Sequence, residues 1–340
     1  MPATMKSIAR DLGVSVITVS KVLHNHADIS PETRKRVLRR MKEVNYQPNL
    51  SARALSTGRS SLVGLIVPDL VHPFFAQVAK GISARLSAQG YSLIIASSEE
   101  NPQLERREVD QMMARGVDAL ILASTESDST SLVKLTERGV PFLLLDRKIP
   151  GFPAHFVGID DARAGSLATQ HLIDIGCKTI AHIAGSAVST AIDRQAGYVE
   201  TLAKHGLSLP RGYIVKHGGG DDAADRSGYG AMKQLLQLHP RPDGVFCCND
   251  PLAMGAFRAI LEAGLEVPKD IAVVGCGNVH YDDLLRVPLT SLDQDAAGLG
   301  ESVARLALNI IKKKNDSPLV TVLLPARLVV RASTQKRGAG

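Results

Sequence analysis

Apolar positions at the start of the chain recur at helical spacing. Ile8, Ala9 and Leu12 share one side of a segment running from Met5 to Leu12, and Thr4 stands before it as an N-cap. Gly13 ends that helix, because glycine accepts the positive φ of a sharp turn. Ser15 caps a second helix, Val16 to Leu23, with Val19, Val22 and Leu23 turned inward. Ser30-Pro31-Glu32-Thr33 opens a third. Ser30 is its N-cap, Pro31 fits the first turn, and Glu32 favours the positive end of the helix dipole. Val37, Leu38, Met41, Val44 and Tyr46 supply its apolar side, and Arg34, Lys35, Arg36, Arg39, Arg40 and Lys42 the rest. The spacing of Ala9, Gly13 and Val19 predicts a helix-turn-helix: a small residue where helices cross, glycine at the turn, a branched residue locking the second helix.

From Ser61 onward the pattern changes. Continuous apolar runs alternate with amphipathic stretches such as FFAQVAKGISARLSAQG and AAGLGESVARLALNIIKKK. The runs are LVGLIVPD, YSLIIASS, VDALILAS, VPFLLLDR, HFVGID, TIAHIAGS, YIVKHGG, DGVFCCND and IAVVGCGN. Such strands belong to parallel sheets covered on both faces by helices. Nine are too many for one small sheet. The expectation is a small all-α head plus an α/β body of two doubly wound parallel-sheet subdomains, with a ligand crevice at the strand C-termini.

Charge sharpens the division. Residues 1–60 hold eleven Lys/Arg against four Asp/Glu, a net of +7, while the remaining 280 hold 29 against 30, a net of −1. That asymmetry predicts a basic head for a polyanion, joined to a near-neutral body. Cys177, Cys247, Cys248 and Cys276 lack CxxC spacing and read as buried thiols. The N-terminus has no apolar signal region, and no run approaches 18 apolar residues, so the expectation is a cytoplasmic protein without a membrane segment. An enzyme reading lacks its constellation. There is no GxSxG elbow, HExxH, P-loop or GxGxxG after a strand, and no histidine spacing suggests a metal. No catalysis and no cofactor are expected.

The stretch SIARDLGVSVITVSKVLHNHADISPETRKRVLRRMKEVNYQPNLSARAL resembles the head of the LacI family of bacterial regulators along its whole length. The resemblance implies a homodimer on a near-palindromic operator of double-stranded DNA. It sets Val16, Ile17 and Lys21 at the recognition-helix positions that reach base edges. Val16 and Ile17 can contact thymine methyl groups and Lys21 can donate to guanine O6/N7. Core packing is the competing reading of the two apolar residues. Ser15, Thr18, Ser20 and Asn25 are expected to touch phosphates, which fix position without conveying sequence. Asn49 opens LSARALSTG, which the resemblance makes a hinge helix that folds on DNA. Leu55 is then a minor-groove wedge and Arg53 a phosphate contact. Without the resemblance the segment reads as a plain linker.

The body also resembles this family, which shares its two-lobed fold, periplasmic-binding-protein type I, with periplasmic sugar-binding proteins. FCCNDPLAMGAFRAILEAGLEVPKDIAVVGCGN and VPLTSLDQ carry that likeness. It implies a head at 1–48, a hinge and linker at 49–61, and a body at 62–333. An N-lobe at 62–160 and 292–324 and a C-lobe at 161–290 and 325–333 follow, with a disordered tail at 334–340. A small-molecule effector, a sugar or sugar derivative, is expected between the lobes. Phe74 and Phe75 match aromatic pocket positions of the family, with helix core as an equal reading. Asp146 and Asp160 end strands and suit ligand hydroxyls, or an inter-lobe ion pair or helix cap. Arg194, in STAIDRQAGY, matches the family's effector-binding arginine, with a surface ion pair as its alternative. Asn249 and Asp250 end the CCND strand, where Asp250 can instead cap the next helix, and Gln294 closes TSLDQ. Gly277 stands where many members carry an aspartate that faces the ligand. One hydroxyl acceptor is therefore missing, which leaves room for a bulkier or acidic effector.

Overall fold

A computed structural model describes residues 3–23, 26–46, 58–216, 224–313 and 318–335. The chain divides after Ser60 into two compact units, Met1–Ser60 and Ser61–Gly340.

The described residues of the first unit form three helices, α1 (Met5–Leu12), α2 (Val16–Leu23) and α3 (Pro31–Glu43). Thr4 caps α1 reciprocally. Its hydroxyl accepts from the Ser7 N–H at 3.1 Å, and its own N–H donates to Ser7 Oγ at 2.9 Å. Gly13 takes φ 63° and closes the helix, turning the chain into α2. Ser15 Oγ accepts from the Thr18 N–H at 3.0 Å, and Ser30 Oγ from Thr33 at 3.2 Å. Ile8, Ala9, Val19, Val22, Val37 and Met41 form the buried core, with Leu12, Leu23, Val44 and Tyr46 packed against it. Leu38 departs from its expected place and is 49% exposed. Val37 and Met41 hold the inward face, and the next residue lies about 100° away around a 3.6-residue turn. Two α3 arginines pin α1: Arg36 donates to the Leu12 carbonyl at 3.1 Å, and Arg40 to Asp11 at 2.7 Å.

The second unit contains two six-stranded sheets. The first collects β1 (Leu62–Val67), β2 (Ser92–Ser97), β3 (Ala119–Leu122), β4 (Phe142–Leu145), β5 (Phe156–Ile159) and β11 (Thr321–Leu324), in the spatial order β11-β5-β4-β3-β1-β2 and parallel throughout. Helices α4 (Pro73–Ser87) and α11 (Ala296–Lys313) cover one face; α5 (Pro102–Ala114) and α6 (Thr130–Glu137) cover the other. The second sheet collects β6 (Ile180–Ala184), β7 (Ile214–Lys216), β8 (Gly244–Cys247), β9 (Ala272–Cys276), β10 (Thr290–Asp293) and β12 (Arg327–Val329), ordered β12-β10-β9-β8-β6-β7. Only β12 runs antiparallel, against β10. Helices α9 (Ala224–Leu235) and α10 (Asp250–Glu262) cover one face; α7 (Asp161–Asp174) and α8 (Ser189–Lys204) cover the other.

The nine apolar runs all hold strands, and β10, β11 and β12 complete the sheets. The chain passes between sheets after β5, after β10 and between β11 and β12. The second passage lies later than the expected 292. Leu292 pairs with both Cys276 and Leu328, and Asp293 pairs with Arg327, so the C-lobe sheet keeps the chain through residue 293. No helix among the described residues is long and apolar enough to cross a membrane.

Candidate DNA interface and inter-lobe site

On α2 the inward face is taken by Val19 and Val22, which leaves Val16 38% and Ile17 69% exposed. Ile17 and Lys21 are one turn apart and share the outward stripe. Core packing is therefore not the role of Ile17. Ser15 and Thr18 are engaged with one another, their hydroxyls 2.9 Å apart beneath the helix N-terminus. Ser20 is half-buried. The Lys21 ammonium is hydrogen-bonded to Asp28, whose carboxyl is held below its ordinary range by that bond. Asn25, Arg53 and Leu55 lie outside the described residues, as do 49–57 of the expected hinge.

In the body, Arg194 is positioned by backbone-to-backbone packing of α7 on α8. A Cβ on Gly197 would lie 1.9 Å from the Ala162 carbonyl oxygen, and one on Gly165 2.0 Å from that of Arg194. Only glycine permits this approach, and it sets Arg194 beside the first turn of α7. The guanidinium donates through Nε to Asp161 at 2.8 Å and through a terminal nitrogen to the Cys248 carbonyl at 2.8 Å. Arg194 and Asp161 are each 6% exposed in their side chains. Burial pushes Asp161 up to about 7 against the pull of Arg194.

Asp160, read as a ligand acceptor or else an inter-lobe ion pair or helix cap, takes the cap, and the partner of Arg194 is the next residue. Asp160 is exposed and caps α7, accepting from the Arg163 N–H at 2.9 Å. Asp161 points to the neighbouring helix instead. Two successive aspartates at a helix start were the available signal. Which one caps and which one faces inward depends on where the first helical turn begins.

The N-lobe contributes Asp146 at the end of β4, buried, with φ 63°. Its carboxyl is raised by burial and drawn back by Arg194 and Arg147. Gln294, also buried, brings Nε2 to 3.5 Å from Asp146 Oδ1. The lobes also touch where the Lys148 N–H donates to Ser189 Oγ at 2.8 Å. Arg147, which directly follows a singled-out residue, was missed by the sequence reading. It grips Glu100 with two bonds of 2.6 and 3.0 Å and stands 6.0 Å from the Phe75 ring centre, and its buried Nε has no hydrogen-bond partner among the described residues. Phe74 and Phe75 are both buried in the N-lobe core, edge to face at 5.1 Å. Their core reading holds for each, and Phe75 in addition underlies Arg147. His72, another residue the sequence reading passed over, caps α4 by accepting from the Phe74 N–H at 3.3 Å. Burial first, then Arg147 and Arg194, push it down to about 4, so it is neutral.

The helix cap that was the alternative reading of Asp250 falls to Asn249. Asn249 caps α10 through the Leu252 N–H at 2.9 Å. Asp250 is fully buried, accepting from Ser291 Oγ at 2.6 Å and the Val279 N–H at 3.2 Å. Its carboxylate lies against β9, where a Cβ on Gly275 would meet Oδ1 at 2.2 Å and one on Gly277 would meet Oδ2 at 2.7 Å. Gly277 has φ 141°, so an aspartate there would be strained as well as crowded by Asp250.

The structure thus brings Asp146, Arg194 and Gln294 together with Asp161, and places Asp160, Asn249 and Asp250 in caps and a C-lobe network. Residues 4–49 match the family described as bacterial regulatory proteins, lacI family, and residues 60–331 match periplasmic binding proteins and sugar binding domain of LacI family. The chain belongs to the LacI family. Among its relatives, the HTH-type transcriptional repressor PurR of Mannheimia succiniciproducens is 32% identical over 338 residues, covering 98% of this chain and 99% of that protein. The ribose operon repressor of Escherichia coli is 32% identical over 340 residues, covering 99% of each. Two solved structures extend the likeness to three dimensions. A lac repressor dimer bound to operator and the anti-inducer ONPF matches with TM-score 0.87 at 28% identity, covering 99% of this chain and 100% of that one. A complex of the transcriptional regulator CelR with cellobiose matches with TM-score 0.74 at 31% identity, covering 97% and 99%.

Proposed function

We propose that this LacI-family protein is a cytoplasmic transcriptional repressor that binds a near-palindromic operator as a homodimer and is controlled by a small-molecule effector. The observation that carries this reading is the outward stripe of α2. A branched apolar side chain, 69% exposed, and a lysine one turn later stand on a small unit of net charge +7. A helix of this kind reads base edges in the major groove, while the surrounding cations neutralise phosphates. Val16, Ile17 and Lys21 face bases. Ser15, Thr18, Ser20 and Asn25 approach the backbone. Arg53 and Leu55 act in the hinge, Arg53 on phosphate and Leu55 as the wedge at the central step.

The effector, a sugar or sugar derivative, binds where the two sheets present their strand C-termini. Asp146, Arg194 and Gln294 face it, with Asp161 orienting Arg194 and Phe75 supporting Arg147. Groups from both lobes converge there, so a ligand that bonds to both changes lobe packing. Its leverage on DNA equals its differential affinity for the DNA-competent and released arrangements. This role calls on no reaction chemistry and no cofactor.

The test is footprinting of the full chain on selected duplexes, with and without ligands from a thermal-shift screen of sugars, sugar acids and nucleosides. The expected result is protection of an inverted repeat, strongly dependent on salt and altered by at least one ligand. A chain that protects no inverted repeat under any of these conditions overturns the reading.

A further inference from the structure

The Lys21–Asp28 pair lies at the surface of the head, outside its apolar core. The core is closed by Ile8, Val19, Val22, Val37 and Met41, and α3 is pinned to α1 by Arg36 and Arg40. Yet Asp28 is held in place. The turn that carries it is tied to both flanking helices two residues earlier: the His26 N–H donates to the Lys21 carbonyl at 3.0 Å, and Arg34 donates to the His26 carbonyl at 2.5 Å. The carboxylate and the ammonium stay partly open, 55% and 40% exposed, at the end of the Ile17–Lys21 stripe. A lone carboxylate on a surface that meets phosphates costs affinity through repulsion, so its presence on that stripe calls for a use.

We infer that Lys21 and Asp28 act as one donor–acceptor dyad that reads a single G·C pair and its orientation. The inference rests on the placement of α2 in the major groove proposed above. Guanine offers N7 and O6 as acceptors, and the cytosine N4 amino group beside O6 is a donor. O6 and N4 are themselves hydrogen-bonded within the pair, so they stand one hydrogen-bond length apart. The Lys21 ammonium and the Asp28 carboxylate are likewise joined by one hydrogen bond. The ammonium meets O6 and N7 while the carboxylate accepts from N4. Reversing the pair sets the amino donor against the ammonium and O6 against the carboxylate, and both contacts become repulsive. An ammonium alone has no such sense of direction, because its flexible stem follows the guanine to either strand. Asp28 is thus a specificity-determining residue outside the recognition helix, and it works by penalising the wrong orientation as much as by rewarding the right one.

The experiment is selection from a pool of randomised duplexes by the full chain and by its Lys21→Ala, Asp28→Ala and Asp28→Asn variants, with circular dichroism to establish that each head is folded. Lys21→Ala and Asp28→Ala are expected to relax preference at the same base pair in each half-site. The wild-type discrimination of G·C over C·G there, on the order of tenfold or more, should shrink to within about twofold. A chain carrying both Lys21→Ala and Asp28→Ala should lose no more than either single variant, since the two side chains act together. Asp28→Asn, which keeps the shape and adds an amide donor, should broaden that position to admit adenine. Tighter binding of Asp28→Ala to every sequence alike, with the Lys21-dependent pair unchanged, overturns the dyad and leaves the DNA reading standing. Relaxation at a different pair also overturns it. A wild-type chain that selects no inverted repeat overturns the dyad together with the reading beneath it.

Discussion

Oppositely charged side chains meet in both units of this protein, under contrary conditions. In the head, Lys21–Asp28 and Arg40–Asp11 lie at the surface, in water and counterions. In the body, Arg194 and Asp161 are almost wholly removed from solvent. Exposed pairs are screened by salt and contribute little to stability. A dehydrated pair is costly to open, because each partner left alone is an uncompensated buried charge. Cations of the head keep an open side toward solvent while paired, 40% of the Lys21 side chain and 35% of that of Arg40. The buried Arg194–Asp161 pair opens only where replacement hydrogen bonds are supplied to both partners.

The largest effect should break this comparison on the body side. Arg194→Ala strands the Asp161 carboxylate and empties the Cys248 carbonyl, and is expected to destabilise the body by about 3–5 kcal/mol. Urea unfolding measures it; a loss below about 1 kcal/mol would place the pair among surface contacts. Gly197→Ala leaves every charge intact but drives a methyl group into the Ala162 carbonyl. A loss of about 1–3 kcal/mol, by the same assay, would show that helix approach and not charge alone builds the site.

A third effect depends on pH. Asp282 is buried beside Asp250, and burial together with that neighbouring carboxylate raises its carboxyl to about 9. The folded chain therefore keeps a proton that the unfolded chain releases above its ordinary value near 3.8. Stability must decline as pH rises between those values. Asp282→Asn mimics the protonated acid, so its melting temperature should fall less than that of the wild type from pH 5 to pH 8. Parallel curves for the two proteins would contradict this. Ser30→Ala removes the cap of α3 and should cost about 1 kcal/mol, read as faster amide exchange confined to that helix. The smallest change is expected for Asp11→Asn, which should leave the melting temperature of the head unchanged at high salt. A clear drop there would mean that Arg40–Asp11, and not the Arg36 bond to the Leu12 carbonyl, is the contact that holds α3 to α1.

Much of the fold was legible along the chain. The bounds and caps of α1, α2 and α3 follow from Thr4, Gly13, Ser15 and Ser30, each of which bonds within a few residues of itself. The strand runs were equally plain, because a strand buried on both faces has no polar positions to disguise it. Arg194 was legible in the candidate site through its motif. Its partner Asp161 was not, since Asp160 and Asp161 differ only in which one the helix turns inward. Arg147 and Glu100 stand 47 residues apart and meet only once β4 is laid beside its neighbours. Leu38 looked like core because its neighbours Val37 and Met41 are.

What the amino-acid order determined by itself was everything governed by short-range chemistry: which segments coil, where each helix starts and stops, which segments form strands, and that a cationic head precedes a near-neutral body. What only the tertiary structure decided was which charges end up sharing a dry space, and where the chain crosses from one sheet to the other after Asp293. The physical reason is distance. A cap or an apolar stripe is formed by residues one turn apart. The Arg194–Asp161 bond spans 33 positions and exists because Gly165 and Gly197 let two helices touch.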